Sequence, residues 1–476
     1  MKTEVKTRVS AKKLSMKNIA ITVISILVVV ISALLPPPAG LTHEGMIVLG
    51  LMVGALIMWI TEAVNMAITT ILVCVMLPFL NILSAAEMYS GFAGKVFFFM
   101  IGTFSITAAL ATTTIPTRMA GMILRWAGKN PKKLVLGFTI GTAILSSIMS
   151  NVPTCALFAT LGISILKVNG NPKPGTSNLG KCLMMAIPAG SVIGGFMTPA
   201  GGPTNLIAIS ALEAVGIRVA FLDWMIQGYP IGLICCVIFS LCVCLIFKPE
   251  GITDDAIEGA KNMVSGNGPM TAREWKALII VIAMFVLWVA STWVPLFDTT
   301  LVALLGMCVL FLPGIEVINW QQYCENSSWD ALFLIGGVGA IAAGASATGA
   351  ASWLINTVLA DAANWSPVVV AIAISAVACL MHVLCPSGPA VAGLLCAPMI
   401  ILAQNTGVSV TGMAMIAAFW GGVTFMLPTD AVPMFTYAYG YYSVKDMLRN
   451  GWLPSIIMIV LVAIAIPSAV SLLGYT

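Results

Sequence analysis

One stretch constrains this chain more than any other. Leu134 to Ile165, LVLGFTIGTAILSSIMSNVPTCALFATLGISI, holds 32 residues without a charged side chain. A helix crossing the hydrocarbon core takes about 20 residues, and two full crossings with a turn take more than about 40. The run suits neither. Its middle reads Ser150-Asn151-Val152-Pro153-Thr154. Pro153 removes a backbone donor where one continuous helix would need it, and Ser or Asn before a fresh apolar run is a good N-cap. The economical structure is a re-entrant helical hairpin, with arms of about 15 residues and about 22 Å each, entering and leaving the membrane on one side. Its polar tip then lies near mid-membrane depth. Non-helical backbone persists there only inside protein or beside a water-filled cavity, so the tip is a candidate site.

The remainder of the chain fits that setting. Of 476 residues, 59% are hydrophobic and only 8% charged, against about 25% charged in soluble domains. The expected class is an all-α integral membrane protein. The net charge of +4 sits in loops, where it argues orientation rather than nucleic-acid binding. Of the 12 cysteines, all except Cys324 fall in apolar segments, with no CxxC pair or Cys/His metal spacing; packing explains them. Neither HExxH nor GxSxG occurs, which speaks against a membrane enzyme. The basic N-terminus precedes an apolar run, Ile19 to Leu35, without a small-residue cleavage site, and reads as an uncleaved first span.

Met1 to Lys17 carries six Lys/Arg against one Glu, which places the N-terminus in the cytoplasm. Four spans follow: Ile19–Leu35, then about Gly45–Ala63, Ala67–Leu83 and Val96–Thr113. They end at Arg118, Arg125, Lys129, Lys132 and Lys133, again cytoplasmic. The hairpin returns to Lys167, Lys173 and Lys181. A fifth span (about Cys182–Leu212) and a sixth (about Met225–Phe247) lead to a polar cytoplasmic linker, residues 249–276. Spans seven to nine cover about Ala277–Val294, Leu301–Ile318 and Leu332–Gly349, with Ala350–Ser366 outside and free of Lys and Arg. A second run without Asp, Glu, Lys or Arg, Pro367 to Leu402, is centred on Cys385-Pro386-Ser387-Gly388-Pro389 and reads as a second hairpin. Span ten (about Thr411–Tyr437) returns to Lys445 and Arg449, and span eleven ends outside. Every basic cluster falls on the expected side, which favours about eleven spans plus two re-entrant hairpins.

The halves repeat. Thr69-Thr70 recurs as Thr299-Thr300, Leu77-Pro78 as Leu312-Pro313, and Phe99-Met100-Ile101-Gly102 as Phe333-Leu334-Ile335-Gly336. Ser150 matches Ser387; Gly194-Gly195 and Pro199 match Gly421-Gly422 and Pro428. The offsets stay between 227 and 237 residues, and the charge count inverts one half relative to the other. Inverted repeats with interrupted helices at matching positions point to the midplane site of a secondary transporter. An anion channel is the competing class.

Four breaks are expected to converge: the two tips, Thr198-Pro199-Ala200-Gly201-Gly202-Pro203-Thr204-Asn205 in the fifth span, and Pro428-Thr429-Asp430-Ala431-Val432-Pro433 in the tenth. Half-helix N-termini suit an anion; freed carbonyls and Ser/Asn oxygens suit Na⁺. None of the four segments holds a Lys or Arg. Asp430 is the only Asp, Glu, Lys or Arg between Asp361 and Lys445, and a carboxylate at membrane depth is functional by default. It is a candidate for cation or proton binding, or for pairing with His382. Thr429 joins these two as a coupling candidate. Glu62, at the end of the second span, reads as interfacial or structural.

The sequence resembles the divalent anion/Na⁺ symporter family, carriers of di- and tricarboxylates and sulfate. Trp59-Ile60-Thr61-Glu62-Ala63-Val64 resembles its early pattern, with Asn65 where Pro is usual. Gly128-Lys129-Asn130-Pro131 resembles the lead-in to its hairpin, Ser150-Asn151-Val152 its Ser-Asn-Thr motif, and the Thr198–Asn205 run its fifth-helix motif. The resemblance implies a homodimer working as an elevator. Residues 18–130 and 277–365 would form the scaffold, and 131–248 and 366–476 the transport part. It implies a sodium site at Ser146, Ser150, Asn151 and Gly201, and a substrate site at Ser150, Asn151, Val152, Thr204, Ser387, Gly388 and Pro389. No cofactor is expected beyond Na⁺ as a candidate coupling ion. The expected partners are a small dicarboxylate and the lipid of a plasma membrane, not nucleic acid.

The second half departs from the family pattern. Ser387-Gly388-Pro389 stands where a second Ser-Asn-Thr belongs, and Ala431-Val432-Pro433-Met434 where a Thr-Pro-Pro-Asn run is usual. Met381-His382 resembles the family's sodium-independent exchanger branch, which includes plastid 2-oxoglutarate/malate translocators. The expectation is C4–C5 dicarboxylate transport with fewer coupled Na⁺ than the symporter pattern implies, or obligatory exchange.

Overall fold

Apolar runs without charges can bury their backbone polar groups in lipid only as helices, and helices are what form. The computed structural model describes residues 16–472 apart from 62, 256–257, 259–267, 295, 351–352, 354–356, 358–364 and 386. The basic N-terminal tail, Glu62 and part of the 249–276 linker therefore lie outside the described residues. The first half contains α1 (Met16–Leu34), α2 (His43–Thr61), α3 (Met66–Phe79), α4 (Ala85–Ser90), α5 (Lys95–Ala111) and α6 (Ile115–Ala127). It continues with α7 (Pro131–Ser146), α8 (Asn151–Val168), α9 (Asn178–Phe196), α10 (Pro203–Ala214) and α11 (Phe221–Phe247). The second half contains α12 (Ala272–Ala290), α13 (Thr299–Phe311), α14 (Trp320–Glu325), α15 (Trp329–Ala347) and α16 (Pro367–Leu384). Then come α17 (Gly388–Thr406), α18 (Val410–Gly422), α19 (Ala431–Tyr437) and α20 (Val444–Leu472).

Both hairpins form, as α7–α8 and α16–α17. The first is longer than its uncharged run. Asn130 caps α7 by accepting from the amides of Lys132 and Lys133, with Pro131 in the first turn, and α8 continues through Lys167 to Val168. Its 18 residues reach about 27 Å, still short of a hydrocarbon core of about 30 Å. Pro153 lies in the first turn of α8, where no intrahelical donor is needed.

Three helices were not legible in the sequence. The basic stretch after the fourth span holds α6, and α4 and α14 are six-residue helices ahead of α5 and α15. The last two are twins. Ser84 and Glu87 form a capping box on α4, and Asn319 and Gln322 form one on α14. Another twin set ties the halves together. Asn65 caps α3 and donates to Asp330 in the first turn of α15 at 3.1 Å. Asp298 caps α13 and accepts from Lys95, the first residue of α5, at 2.8 Å.

Packing has the same reciprocity. A Cβ on Gly102 of α5 would lie 2.6 Å from Ala303 of α13, and one on Gly337 of α15 would lie 1.9 Å from Thr70 of α3. In the same way α10 packs on the second hairpin, and α19 on the first. Such exchange of partners is what a two-fold relation between inverted halves produces.

Polar contacts between loops fall into two sets, one at each end of the molecule. Lys129 pairs with Asp254, Glu250 accepts from the amides of Asn178 and Leu179, and Lys181 pairs with Asp446. All these segments belong to the side assigned to the cytoplasm by charge. At the other end Lys95 meets Asp298, Thr42 bonds to Thr348, and Trp353 bonds to Ala39.

Among the described residues, eight helices are apolar and at least 18 residues long, α8 and the α4–α5 unit among them. The shorter α3 and α13 occupy corresponding positions in the two halves.

The frame of the first site is the contact of α9 with α7. A Cβ on Gly190 would lie 2.2 Å from the Thr139 carbonyl oxygen, and one on Gly194 would lie 2.1 Å from that of Ala143. Backbone cannot yield as a side-chain end can, and overpacking typically costs about 1–3 kcal/mol. Gly190→Ala and Gly194→Ala should each lower the melting temperature of the detergent-solubilised protein by several degrees. A melting temperature within a degree of the parent's for both would contradict this packing.

Candidate substrate and cation site

The first tip is a four-residue turn, Ser147 to Ser150, between α7 and α8. Ser150 takes the N-cap position, but its hydroxyl makes no capping bond; its amide donates to Thr107 Oγ1 of α5 at 3.0 Å. Ser146 Oγ donates to Asn151 Oδ1 at 2.8 Å and lies 3.2 Å from Ser191 Oγ. Ser191 in turn donates to the Asn151 carbonyl at 2.7 Å. The Asn151 side chain presses on Gly195, where a Cβ would lie 2.4 Å from Oδ1, and Gly201 presses on the same residue, its Cβ position 2.6 Å from the Gly195 carbonyl oxygen. Ser146, Asn151 and Gly201 are thus brought together around Gly195. Ser191 joins them unanticipated, because a single serine inside an apolar helix carries no local signal.

The carbonyls released by the break in the fifth span are not all free for a cation. Asn205 Nδ2 donates to Gly195 O at 2.6 Å and to Thr198 O at 2.7 Å, and Trp224 Nε1 donates to Phe196 O at 2.8 Å. Thr198 Oγ1 donates to Ser147 O at 2.5 Å, fastening the break to the first tip. Asn205 is therefore a staple across the break. Its Oδ1 is buried without a partner, an oxygen of the kind a cation or an ordered water satisfies. Among the described residues no group of three or more His, Cys, Asp or Glu could hold a metal ion. Any cation here would be bound by neutral oxygens, as suits Na⁺.

The second tip differs. Ser387 caps α17, accepting from Ala390 N at 3.4 Å, and its hydroxyl lies 3.3 Å from Met66 Sδ at the start of α3. A Cβ on Gly388 would lie 2.3 Å from Gly421 O and 3.6 Å from Thr204 Cγ2. Thr204, from the first half's break, therefore sits against the second half's tip. Reciprocally, the Cys155 thiol of α8 donates to Val432 O of α19 at 3.5 Å. The four breaks converge through these crossings. Val152 is partly exposed in the first turn of α8, and Pro389 is half-buried in that of α17.

Asp430 caps α19, accepting from Val432 N at 3.2 Å. One amide at the positive end of that half-helix is thereby taken by the protein's own carboxylate. His382 is fully buried. Its Nδ1 faces two carbonyl oxygens, Trp420 O at 2.8 Å and Val423 O at 3.2 Å, and its Nε2 faces Asp430 Oδ2 at 3.3 Å. Carbonyls only accept, so Nδ1 carries a hydrogen. The Nε2–Oδ2 contact then requires one further proton, held either as imidazolium and carboxylate or as neutral imidazole and carboxylic acid. Near the same break, the Thr424 and Thr429 hydroxyls are buried without partners.

Residues 16–475 match the family described as the sodium:sulfate symporter transmembrane region. This chain belongs to that family. A similar member is the sodium-dependent dicarboxylate transporter SdcS of Staphylococcus saprophyticus, 26% identical over 466 residues, covering 92% of this chain and 89% of that one. An uncharacterized transporter of Haemophilus influenzae is 26% identical over 421 residues, covering 86% and 88%. Among solved structures, the Alcanivorax borkumensis YdaH transporter superposes with a TM-score of 0.53 at 13% identity, over 83% of this chain and 89% of that one. Neisseria gonorrhoeae MtrF gives 0.52 at 12% identity over 96% and 95%. At such identities these two likenesses are of fold alone. As a sodium:sulfate symporter family member, the chain is a multi-pass secondary transporter of a small anion and not an enzyme.

Proposed function

We propose that this transporter carries C4–C5 dicarboxylates across the plasma membrane by an elevator movement, as a homodimer, with reduced sodium coupling or with exchange. The scaffold would comprise residues 18–130 and 277–365, and the moving part 131–248 and 366–476, with the N-terminus cytoplasmic and the C-terminus outside. The substrate lies between the tips, against Ser150, Asn151, Val152, Thr204, Ser387, Gly388 and Pro389. The observation that carries this reading is the single break to which both tips attach: Asn151 meets Gly195 just before it, and Gly388 meets Thr204 just after it. The dicarboxylate transport named for the staphylococcal relative supports the substrate class.

Coupling follows from the unequal halves. The first half offers Ser146, Ser150, Asn151 and Gly201 to one Na⁺. In the second, Gly388 replaces an amide and Val383 a hydroxyl, while Asp430 and His382 share a proton. An ordinary multi-sodium symporter is the second reading, favoured by the unpartnered Thr424 and Thr429 hydroxyls. Uptake into proteoliposomes, competed by succinate, malate, 2-oxoglutarate, citrate and sulfate, tests the proposal. Strong competition by the C4–C5 acids and counterflow without a sodium gradient are expected. A sodium Hill coefficient well above one, unchanged in Asp430→Asn, would establish the second reading instead, and non-saturating flux without counterflow would indicate a channel.

A further inference from the structure

At the end of the molecule opposite the basic clusters, the segments around residues 95, 218 and 298 enclose a cavity of about 420 Å³, within the size range of small-molecule clefts. Lys95 and Phe99 of α5 line it, with Glu213 at the end of α10, Arg218 beyond it, and Asp298. Pro199, in the break of the fifth span, is also among the lining residues. The cavity thus borders the break of the fifth span.

Its charges are not equivalent. Lys95 and Asp298 neutralise one another at 2.8 Å, and Asp298 also accepts from the amides of Thr300 and Leu301. Burial opposes ionisation of Asp298, yet Lys95 and those amides outweigh it and leave the carboxyl below its ordinary value. Arg218 and Glu213 are both exposed and make no ion pair within 4.0 Å among the described residues, yet Glu213 lies close enough to Arg218 and Lys95 to attract both. The guanidinium is a forked donor suited to a carboxylate, while Glu213 repels one. The opposite end of the molecule is built differently. There the twin pair Asn65–Asp330 has Met66 beside it, and Met66 is in contact with Ser387 of the second tip. At this end Thr299, the first residue of α13 as Met66 is of α3, lines the cavity instead.

We propose that this cavity is an outer vestibule that receives the small dicarboxylate ahead of the helix break, with the Arg218 guanidinium as its anion-binding group and Glu213 as the opposing charge that sets its affinity. The proposal rests on the transport function argued above. The four charges of the lining sum to zero, so the attraction is local to the Arg218 guanidinium, and salt screens it within a few ångströms at high ionic strength.

The test is uptake of labelled succinate by intact cells of a host lacking its own dicarboxylate uptake, which reads the outer face alone. At an ionic strength of about 0.01 M, Arg218→Gln should raise KM about three- to tenfold. Glu213→Gln should lower it about two- to fivefold, with Vmax unchanged in both. At about 0.5 M salt both effects should shrink below about twofold. A purely structural role for the two residues would impair both variants in the same direction, mostly in Vmax, at either salt. That result, or a KM unchanged in both, would overturn the vestibule while leaving transport intact. Parent protein that takes up none of these acids would overturn the transport reading, and this proposal with it.

Discussion

Asn151→Ala is expected to reduce uptake at least ten- to a hundredfold while the protein still folds. The Asn151 side chain accepts from Ser146 and fills the space beside Gly195, and its carbonyl accepts from Ser191. Truncation removes an oxygen from the expected sodium site and leaves Ser146 with Ser191 as its remaining side-chain partner. Hydrogen bonds to charged groups are worth about 1.5–3 kcal/mol, which corresponds to about ten- to 150-fold in an equilibrium. The backbone around the break remains stapled by Asn205, Thr198 and Trp224, so misfolding is not the expected cause of the loss. A symmetrical size-exclusion profile with uptake above half the parent value would show that Asn151 holds neither cation nor substrate. Asn205→Ala offers the contrast. By releasing Gly195 O and Thr198 O, it should lower the melting temperature as well as transport.

The second expected result concerns Asp430 and His382. Both Nδ1 acceptors are carbonyls, so one shared proton on the Nε2 side holds the pair together. With that proton, the pair is neutral overall and an approaching dianion meets no net negative charge. Without His382 the carboxylate would lose its partner on the Nε2 side, and a dianion would meet an uncompensated negative charge at the tenth-span break. His382→Ala should therefore depress transport. Asp430→Asn keeps the contact, since an amide can donate to Nε2, and should leave transport measurable while altering its sodium or exchange dependence. Uptake by His382→Ala equal to the parent's, or a sodium dependence unchanged in Asp430→Asn, would remove the pair from the coupling mechanism.

Much of the architecture was legible in the chain. Hairpin one followed from an uncharged run too long for one crossing and too short for two. The repeat followed from paired motifs at nearly constant offset. These features are local or additive, so a one-dimensional reading captures them. Positions 150, 151, 201 and 204 were marked by Pro, Gly and Asn chemistry at the breaks, which backbone rules alone make conspicuous.

Other features depended on tertiary contact. Ser191 and Asn205 gained their roles because α9 approaches α7 at glycine distance, and no sequence spacing encodes that approach. The helix α6 stayed hidden because its basic residues served as orientation signals and masked its periodicity. The contact of His382 with Asp430 exists because two residues 48 positions apart meet across the tenth-span break. The isolated carboxylate was conspicuous in the sequence; that it caps its own half-helix was decided by the backbone conformation at Asp430. Charge, length and proline placement act along the chain and can be read there, whereas the identity of each polar group's partner is set by which helices the two-fold repeat brings face to face.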